Sequence, residues 1–238
     1  MKVIEPPKVR IVGMSRRAFL RHAGLAVAGS GLALACADGG AEDEETPVAV
    51  YPVAEGFLLV DVQKCQGCVT CMLACSLVNE GVESLSLARL QVIQNPLEGW
   101  PEDLTIEQCR QCTAPFCVEA CEFDALIVDE SRDNLRIVDE AKCTGCGACV
   151  NACPYTPKRP IVAPNEAGEL KSRKCDLCAG APYHWAPEGG GPAGAQACVA
   201  VCPVRAIAFT DVEPVQSDAG YQVNLRDSTW AQLGYPKD

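Results

Sequence analysis

The sequence predicts an α+β fold made of two tandem, pseudo-symmetric modules with short strands and short helices, and three observations support this prediction. Sixteen of the 17 cysteines fall into four groups of four between residues 65 and 202. Short apolar segments with the length of strands alternate with these groups. Aromatic residues make up only 5% of the 238 residues, so a large core of bulky side chains is not expected. The cysteines must therefore contribute much of what holds the fold together.

The first 35 residues have the features of an export signal. The segment from Ser15 to Leu20, SRRAFL, matches the twin-arginine signature. The apolar run that follows, residues 23–35, is too short to span a bilayer. Because twin-arginine export carries folded proteins, it suits a chain whose cofactor is inserted in the cytoplasm. We expect residues 1–35 to be a twin-arginine signal peptide and the protein to be periplasmic or held at the outer face of the cytoplasmic membrane.

Cys36 follows this segment, and two outcomes for it are open. Leu32 to Cys36 approximates a lipobox, which predicts lipidation of Cys36 and a lipid anchor. Each methylene buried in the membrane would contribute about 0.8 kcal/mol. Ordinary cleavage after Ala35 or Ala37 fits the same residues, and the mass of the mature N-terminus distinguishes the two. Residues 36–55 are acidic and lack apolar periodicity, so they are expected to form a flexible linker.

The chain beyond the signal is strongly acidic. Residues 1–35 carry six Lys or Arg against one Glu, so subtracting their charge of +5 from the chain's −11 leaves −16. Such a surface disfavours nucleic acid and anionic lipid as partners. It suits a basic docking face on another protein, although acidity that serves only solubility explains the charge equally well.

The four cysteine groups differ mainly in their middle gap. The first and third follow the spacing CxxCxxCxxxC, the second is lengthened by two residues, and the fourth holds nineteen residues between its second and third cysteines. The third group, followed by Pro154, has the full spacing of bacterial ferredoxins. The groups are Cys65, Cys68, Cys71 and Cys75; Cys109, Cys112, Cys117 and Cys121; Cys143, Cys146, Cys149 and Cys153; and Cys175, Cys178, Cys198 and Cys202.

Three kinds of chemistry use closely spaced cysteines. Disulfides fit poorly, because cysteines two residues apart in a tight loop rarely reach disulfide geometry and folded export implies assembly in a reducing compartment. Structural zinc usually takes two CxxC pairs a dozen or more residues apart, and only the fourth group approaches that pattern. A CxxCxxC loop instead wraps three thiolates around one iron-sulfur cluster. The spacing therefore favours iron-sulfur clusters, with all sixteen cysteines as iron ligands.

Residues beside the ligands agree with this prediction. Gly67 and Gly145 allow tight turns that bring backbone N–H groups towards cluster sulfurs. A lysine precedes the first cysteine of three groups, at Lys64, Lys142 and Lys174. These lysines either offset cluster charge or are ordinary solvated side chains.

Short strands are expected around the cysteine groups. The apolar segments that predict them are residues 56–61, 87–93, 125–128, 135–138 and 206–209. Each cysteine loop then leads into a short helix and a short strand, which is the architecture of a two-cluster ferredoxin formed twice. The ferredoxin domain is expected to span residues 56–210 and to be followed by a C-terminal tail, residues 211–238.

The four groups, the longer second group, the insertion in the fourth and the twin-arginine signature resemble the four-cluster ferredoxin subunits of the dimethyl sulfoxide reductase type. The resemblance covers about residues 56–210 and implies four [4Fe-4S] clusters, since Cys146 is present where some members of that family lack a cysteine. Such subunits accompany a molybdenum catalytic subunit, and a similar subunit accompanies tungsten or molybdenum enzymes of the aldehyde oxidoreductase type. The sequence does not separate these two partners.

The absence of other motifs points to electron transfer. Clusters carry single electrons, whereas two-electron chemistry on a substrate needs another centre. The sequence has no Walker or dinucleotide motif, and its only histidines are His22 and His184. We expect a subunit without its own substrate site that relays electrons between a molybdenum or tungsten catalytic subunit and a quinone-linked membrane subunit or periplasmic carrier. The alternative is a free-standing ferredoxin-like carrier.

The fourth cysteine of a CxxCxxCxxxC run points towards a different cluster from the first three. The family resemblance implies that the first group exchanges this ligand with the fourth group, and the second group with the third. The implied sets are Cys65, Cys68, Cys71 with Cys202; Cys175, Cys178, Cys198 with Cys75; Cys109, Cys112, Cys117 with Cys153; and Cys143, Cys146, Cys149 with Cys121.

Overall fold

A computed structural model describes residues 50–100 and 102–232. The expected signal peptide, Cys36 and residues 36–49 of the expected linker lie outside the described residues. Within them no helix is long and apolar enough to cross a bilayer. The described chain is a small mixture of short helices and short strands, as the sequence predicts.

In the described part of the chain, eight four-residue strands form four separate two-stranded antiparallel sheets. Three sheets are hairpins that pair β2 with β3, β4 with β5, and β6 with β7, whereas β1 pairs with the distant β8. The strands are β1 (Phe57–Val60), β2 (Gln91–Gln94), β3 (Leu104–Glu107), β4 (Leu126–Asp129), β5 (Leu135–Val138), β6 (Ile161–Pro164), β7 (Leu170–Arg173) and β8 (Ile207–Thr210).

Among residues 50–100 and 102–232, six short α-helices lie between and after these strands. A 3-10 helix, Glu130–Arg132, forms the turn between β4 and β5. The α-helices are α1 (Thr70–Glu80), α2 (Phe116–Glu119), α3 (Ala148–Ala152), α4 (Ala197–Val201), α5 (Asp218–Tyr221) and α6 (Ser228–Gln232).

Long-range contacts bring the two ends of the described chain together. In the β1–β8 sheet Phe57 pairs with Thr210 and Val60 with Ile207. Helix α1 of the first cysteine group packs against α4 of the fourth, and α2 of the second packs against α3 of the third. The first group therefore lies beside the fourth, and the second beside the third.

Of the expected C-terminal tail, residues 211–238, residues 233–238 lie outside the described residues, and the segment from Asp218 to Val223 packs against β1. Tyr221 is fully buried, and its hydroxyl donates to the carbonyl of Arg110 at 2.5 Å. Phe57 meets its ring edge-on with centroids 6.3 Å apart. Farther along, the N–H of Val223 donates to the carbonyl of Val60 at 2.9 Å. This segment thus contributes to the core next to the first strand.

Four of the five predicted strands are found as β1, β4, β5 and β8 to within one residue at either end. The prediction over residues 87–93 was too long, because only residues 91–93 belong to β2. The N–H of Arg89 donates to the sulfur of Cys75 at 3.3 Å instead of to a strand partner. The hydrogen bond to this cysteine sulfur thus makes β2 shorter than predicted.

Candidate metal centres

Four cavities in the described part of the chain are each lined by four cysteines, and together they use each grouped cysteine once. Their volumes are 280 to 340 Å³ with the open mouths included. Cavity 1 is lined by Cys65, Cys68, Cys71 and Cys202; cavity 2 by Cys75, Cys175, Cys178 and Cys198; cavity 3 by Cys109, Cys112, Cys117 and Cys153; and cavity 4 by Cys121, Cys143, Cys146 and Cys149. These memberships are the same as the four ligand sets that the family resemblance implies.

Each of the helices α1 to α4, with the residues just after it, supplies cysteines to two different cavities. The third and fourth cysteines of every group are four residues apart; α1 contains both, whereas α2 to α4 contain only the third, and the fourth follows within two residues of the helix end. A helix rises 1.5 Å per residue, so Cys71 and Cys75 on α1 are separated by about 6 Å along its axis. The pairs are Cys71 and Cys75 on α1, Cys117 and Cys121 at α2, Cys149 and Cys153 at α3, and Cys198 and Cys202 at α4.

The cavities follow one another in a series from 1 to 4. Cavities 1 and 2 share helices α1 and α4, and cavities 3 and 4 share α2 and α3. Cavities 2 and 3 are neighbours, because Lys174 lines cavity 3 and the next residue, Cys175, lines cavity 2. The only exposed cysteines in the described chain are Cys68 in cavity 1 and Cys146 in cavity 4. The two ends of the series are thus the parts nearest to solvent.

A left-handed residue recurs two positions after the first cysteine of every group. These residues are Gly67, Gln111, Gly145 and Leu177, with φ between 48° and 69°. At Gly145 a Cβ would lie 2.4 Å from the carbonyl oxygen of Leu170, so only glycine fits. Gln111 and Leu177 are not glycine, and the left-handed backbone conformation of a residue with a side chain costs roughly 1–2 kcal/mol. Gln111 is fixed by its side chain, which donates to the carbonyl of Cys175 at 2.9 Å and accepts from the N–H of Arg136 at 2.8 Å.

Backbone N–H groups donate to the sulfur of the fourth cysteine in every group. The donors come from the chain after each cysteine, at 3.1 to 3.5 Å: Arg89 to Cys75, Leu126 to Cys121, Arg159 to Cys153 and Ala206 to Cys202. The first cysteines Cys65 and Cys143 accept likewise from Gly67 and Ser172. Such bonds stabilise negative charge on sulfur.

The cysteines have the chemistry of ligands to an iron-sulfur cluster. All sixteen are free thiols. Burial, and then repulsion from neighbouring thiolates, raises the pKa of Cys71 and of Cys117 to about 12. Thiols with such pKa values stay protonated in neutral water, whereas a bound metal deprotonates a coordinating thiol. Among residues 50–100 and 102–232 no His, Cys, Asp and Glu group could hold a single metal ion, and each set of four cysteines surrounds a volume instead. Four soft ligands around such a volume fit a [4Fe-4S] cluster.

The three lysines that precede a cysteine group differ in their surroundings. Lys142 is exposed and lies 3.9 Å from a carboxylate oxygen of Asp139. Lys64 is buried, but its ammonium group donates to the carbonyl of Leu225 at 2.8 Å. Only Lys174 lines one of the four cavities, cavity 3, and it is 2% exposed.

Sequence reasoning missed several residues beside the sulfurs. The side-chain amide of Asn79 lies 3.7 Å from the sulfur of Cys75, and the guanidinium of Arg89 donates to Asp176 at 3.1 Å in the lining of cavity 2. No motif marks them, because they approach from outside the cysteine spacing. His184 stacks on Trp185 and lines none of the four cavities.

Comparisons with known proteins agree with this chemistry. Residues 102–212 match a family described as a 4Fe-4S dicluster domain. The putative electron transport protein YsaA of Escherichia coli K12 is 33% identical over 67% of this chain and 92% of its own length. The electron transport protein HydN of the same strain is 33% identical over 65% of this chain and 87% of its own length. The polyferredoxin-like subunit of the aliphatic sulfonate oxidoreductase of Pyrococcus furiosus is 39% identical over 53% of this chain and 67% of its own length. The chain therefore belongs to the 4Fe-4S dicluster family of ferredoxin-like electron-transport proteins.

Proposed function

We propose that each of the four cavities holds one [4Fe-4S] cluster and that the chain relays single electrons along the series from cavity 1 to cavity 4. The observation that carries this proposal is that the sixteen cysteines are divided among four cavities, with four cysteines in each cavity. Every cavity in the series is adjacent to the next. When bound, such clusters supply reversible one-electron redox chemistry. The ligand sets are the memberships of the four cavities.

The chain's own residues hold and tune the clusters. The short helices fix the fourth cysteines, and the backbone N–H groups of Arg89, Leu126 and Ala206 stabilise negative charge on their sulfurs. Burial keeps water from most of the sulfurs, whereas Cys68 and Cys146 remain exposed. Electrons would thus enter and leave at cavities 1 and 4.

The repeated elements support a pseudo-symmetric origin of this arrangement. Every group combines a left-handed residue two positions after its first cysteine with a helix that carries its third cysteine. The pairing of α1 with α4 and of α2 with α3 gives two modules of two cavities. In this proposal they are two two-cluster ferredoxin-like modules, the first formed by the outer groups and the second by the inner groups.

The partner is proposed to be a molybdenum or tungsten catalytic subunit, and the other end of the series would meet a quinone-linked membrane subunit or a periplasmic carrier. The Pyrococcus relative, named as a subunit of an oxidoreductase, supports a catalytic partner. In this proposal the chain has no substrate site of its own.

Anaerobic purification from the native organism tests this role. The chain should elute together with a large subunit that contains molybdenum or tungsten, and dithionite-reduced chain should pass electrons to that subunit. Elution as an active monomer would contradict the subunit role and favour the free-standing carrier.

The localisation proposed from the twin-arginine signature is the periplasm or the outer face of the cytoplasmic membrane. Replacement of both Arg16 and Arg17 by Lys should leave most of the cluster-loaded protein in the cytoplasm, because the signature needs its arginines. Immunoblots of cell fractions measure the distribution, with Lys8→Arg as the control that keeps export. Export of the double variant at the normal level would exclude the twin-arginine route.

A further inference from the structure

Buried positive charge is concentrated around cavity 3. Arg110, Arg159 and Lys174 line it, and each is at most 7% exposed. Arg136 is also buried, and its backbone carbonyl accepts a hydrogen bond from the ammonium group of Lys174. By contrast, no charged side chain lines cavity 1 or cavity 4. The lining of cavity 2 contains one cation and one carboxylate, Arg89 and Asp176, which offset each other.

Nearby carboxylates offset only part of this charge. Arg159 pairs with Glu107, and Arg110 pairs with Asp218 at 2.6 Å, where Asp218 is largely exposed. Lys174 has no carboxylate partner among the described residues; its ammonium group donates instead to the backbone carbonyls of Arg136 and Cys175. Four cations therefore face two carboxylates around cavity 3.

Buried N–H groups beside this cavity also lack partners. The unpartnered atoms are Nε and Nη1 of Arg110, Nε and Nη2 of Arg136, and Nε of Arg159. Burial of a cation is costly unless an opposite charge compensates it. The anionic group that would compensate these cations is a cluster with its thiolates in cavity 3, because Arg110, Arg159 and Lys174 line the same cavity as the four cysteines.

We infer that cavity 3 holds the cluster of highest reduction potential in the series, because Lys174 and the three arginines stabilise its reduced form. This inference rests on the proposed function. One-electron reduction adds one negative charge to a cluster, and a buried cation attracts that charge far more strongly than an exposed cation does. An electron that enters at either end therefore comes to rest inside the protein, one cavity away from exposed Cys146. The four cations act on the electron only through the cluster that holds it: they are Lys174, Arg110, Arg136 and Arg159.

Redox titration followed by electron paramagnetic resonance tests this inference on the full chain loaded with iron and sulfide. Cys112→Ser identifies the signal of cavity 3, since only that signal should change. In the unmodified chain this signal should have the highest midpoint potential of the four. Lys174→Met should lower that midpoint and leave the other three unchanged or less affected.

Two further variants sharpen the test. Lys142 precedes Cys143 as Lys174 precedes Cys175, but it is exposed, so Lys142→Met should leave the midpoint of cavity 3 unchanged. Asp218→Asn removes an exposed carboxylate that offsets Arg110, so it should raise the midpoint even if Lys174→Met fails to fold.

The inference is overturned if the signal sensitive to Cys112→Ser is not the highest, or if neither Lys174→Met nor Asp218→Asn shifts it in the stated direction. If no signal responds to Cys112→Ser, the proposed cluster in cavity 3 fails instead. The two failures are therefore distinguishable.

Discussion

Replacement of Cys75 by Ser should alter the same cluster signal as replacement of Cys175, although the two residues are 100 positions apart. Both line cavity 2, and Cys75 reaches it because it lies one helical turn after Cys71 on α1. Cys65→Ser, a change in the same group as Cys75, should alter a different signal, since Cys65 lines cavity 1.

Electron paramagnetic resonance of the reduced single variants measures this pattern. Each variant should lose or alter one of four signals and retain the other three. Cys71→Ser is the matched control, because it changes a cysteine on the same helix as Cys75 but in cavity 1. If Cys75→Ser matched Cys65→Ser and not Cys175→Ser, each group would close its own cluster, and exchange between helices α1 and α4 would be excluded.

The cysteine spacing contains enough information to predict the groups and the chemistry, but not their partners in space. The pattern CxxCxxC is local, since a short loop can bring its three thiols together. The contact of α1 with α4 depends instead on the β1–β8 sheet, in which Phe57 pairs with Thr210. A strand pairing between residues so far apart in sequence cannot be inferred from the cysteine spacing. The pairing of the first group with the fourth was implied only by the family resemblance.

The strands show the same limit. The β4–β5 hairpin is predictable because two apolar runs flank a polar turn, and the structure has it at Leu126–Asp129 and Leu135–Val138. The β6–β7 hairpin was missed, because Pro164 ends one strand and Leu170–Arg173 is largely polar. The hairpin contributes to cavity 4, since the N–H of Ser172 donates to the sulfur of Cys143 at 3.2 Å and its hydroxyl lies 3.2 Å from the sulfur of Cys149.

The cations around cavity 3 could not be recognised from sequence. Lys174 occupies the same position before a cysteine group as Lys142, yet one is buried and the other is exposed. Arg110 is buried under contacts from another part of the chain, with its guanidinium 4.5 Å from the ring centre of Tyr221. Burial of charge depends on such long-range contacts, which single residues do not reveal.

The total of iron and sulfide bound per chain tests the central claim, one [4Fe-4S] cluster in each of four cavities, most directly. Anaerobically reconstituted chain should contain about 16 iron and about 16 sulfide, since each cluster has four of each. Cys36→Ser should leave both totals unchanged, because Cys36 belongs to none of the four groups. A variant with all four cysteines of cavity 3 changed to Ser should lose about a quarter of both. A total of about 8 iron in the unmodified chain would mean that only two cavities hold clusters, and it would contradict the four-cluster relay.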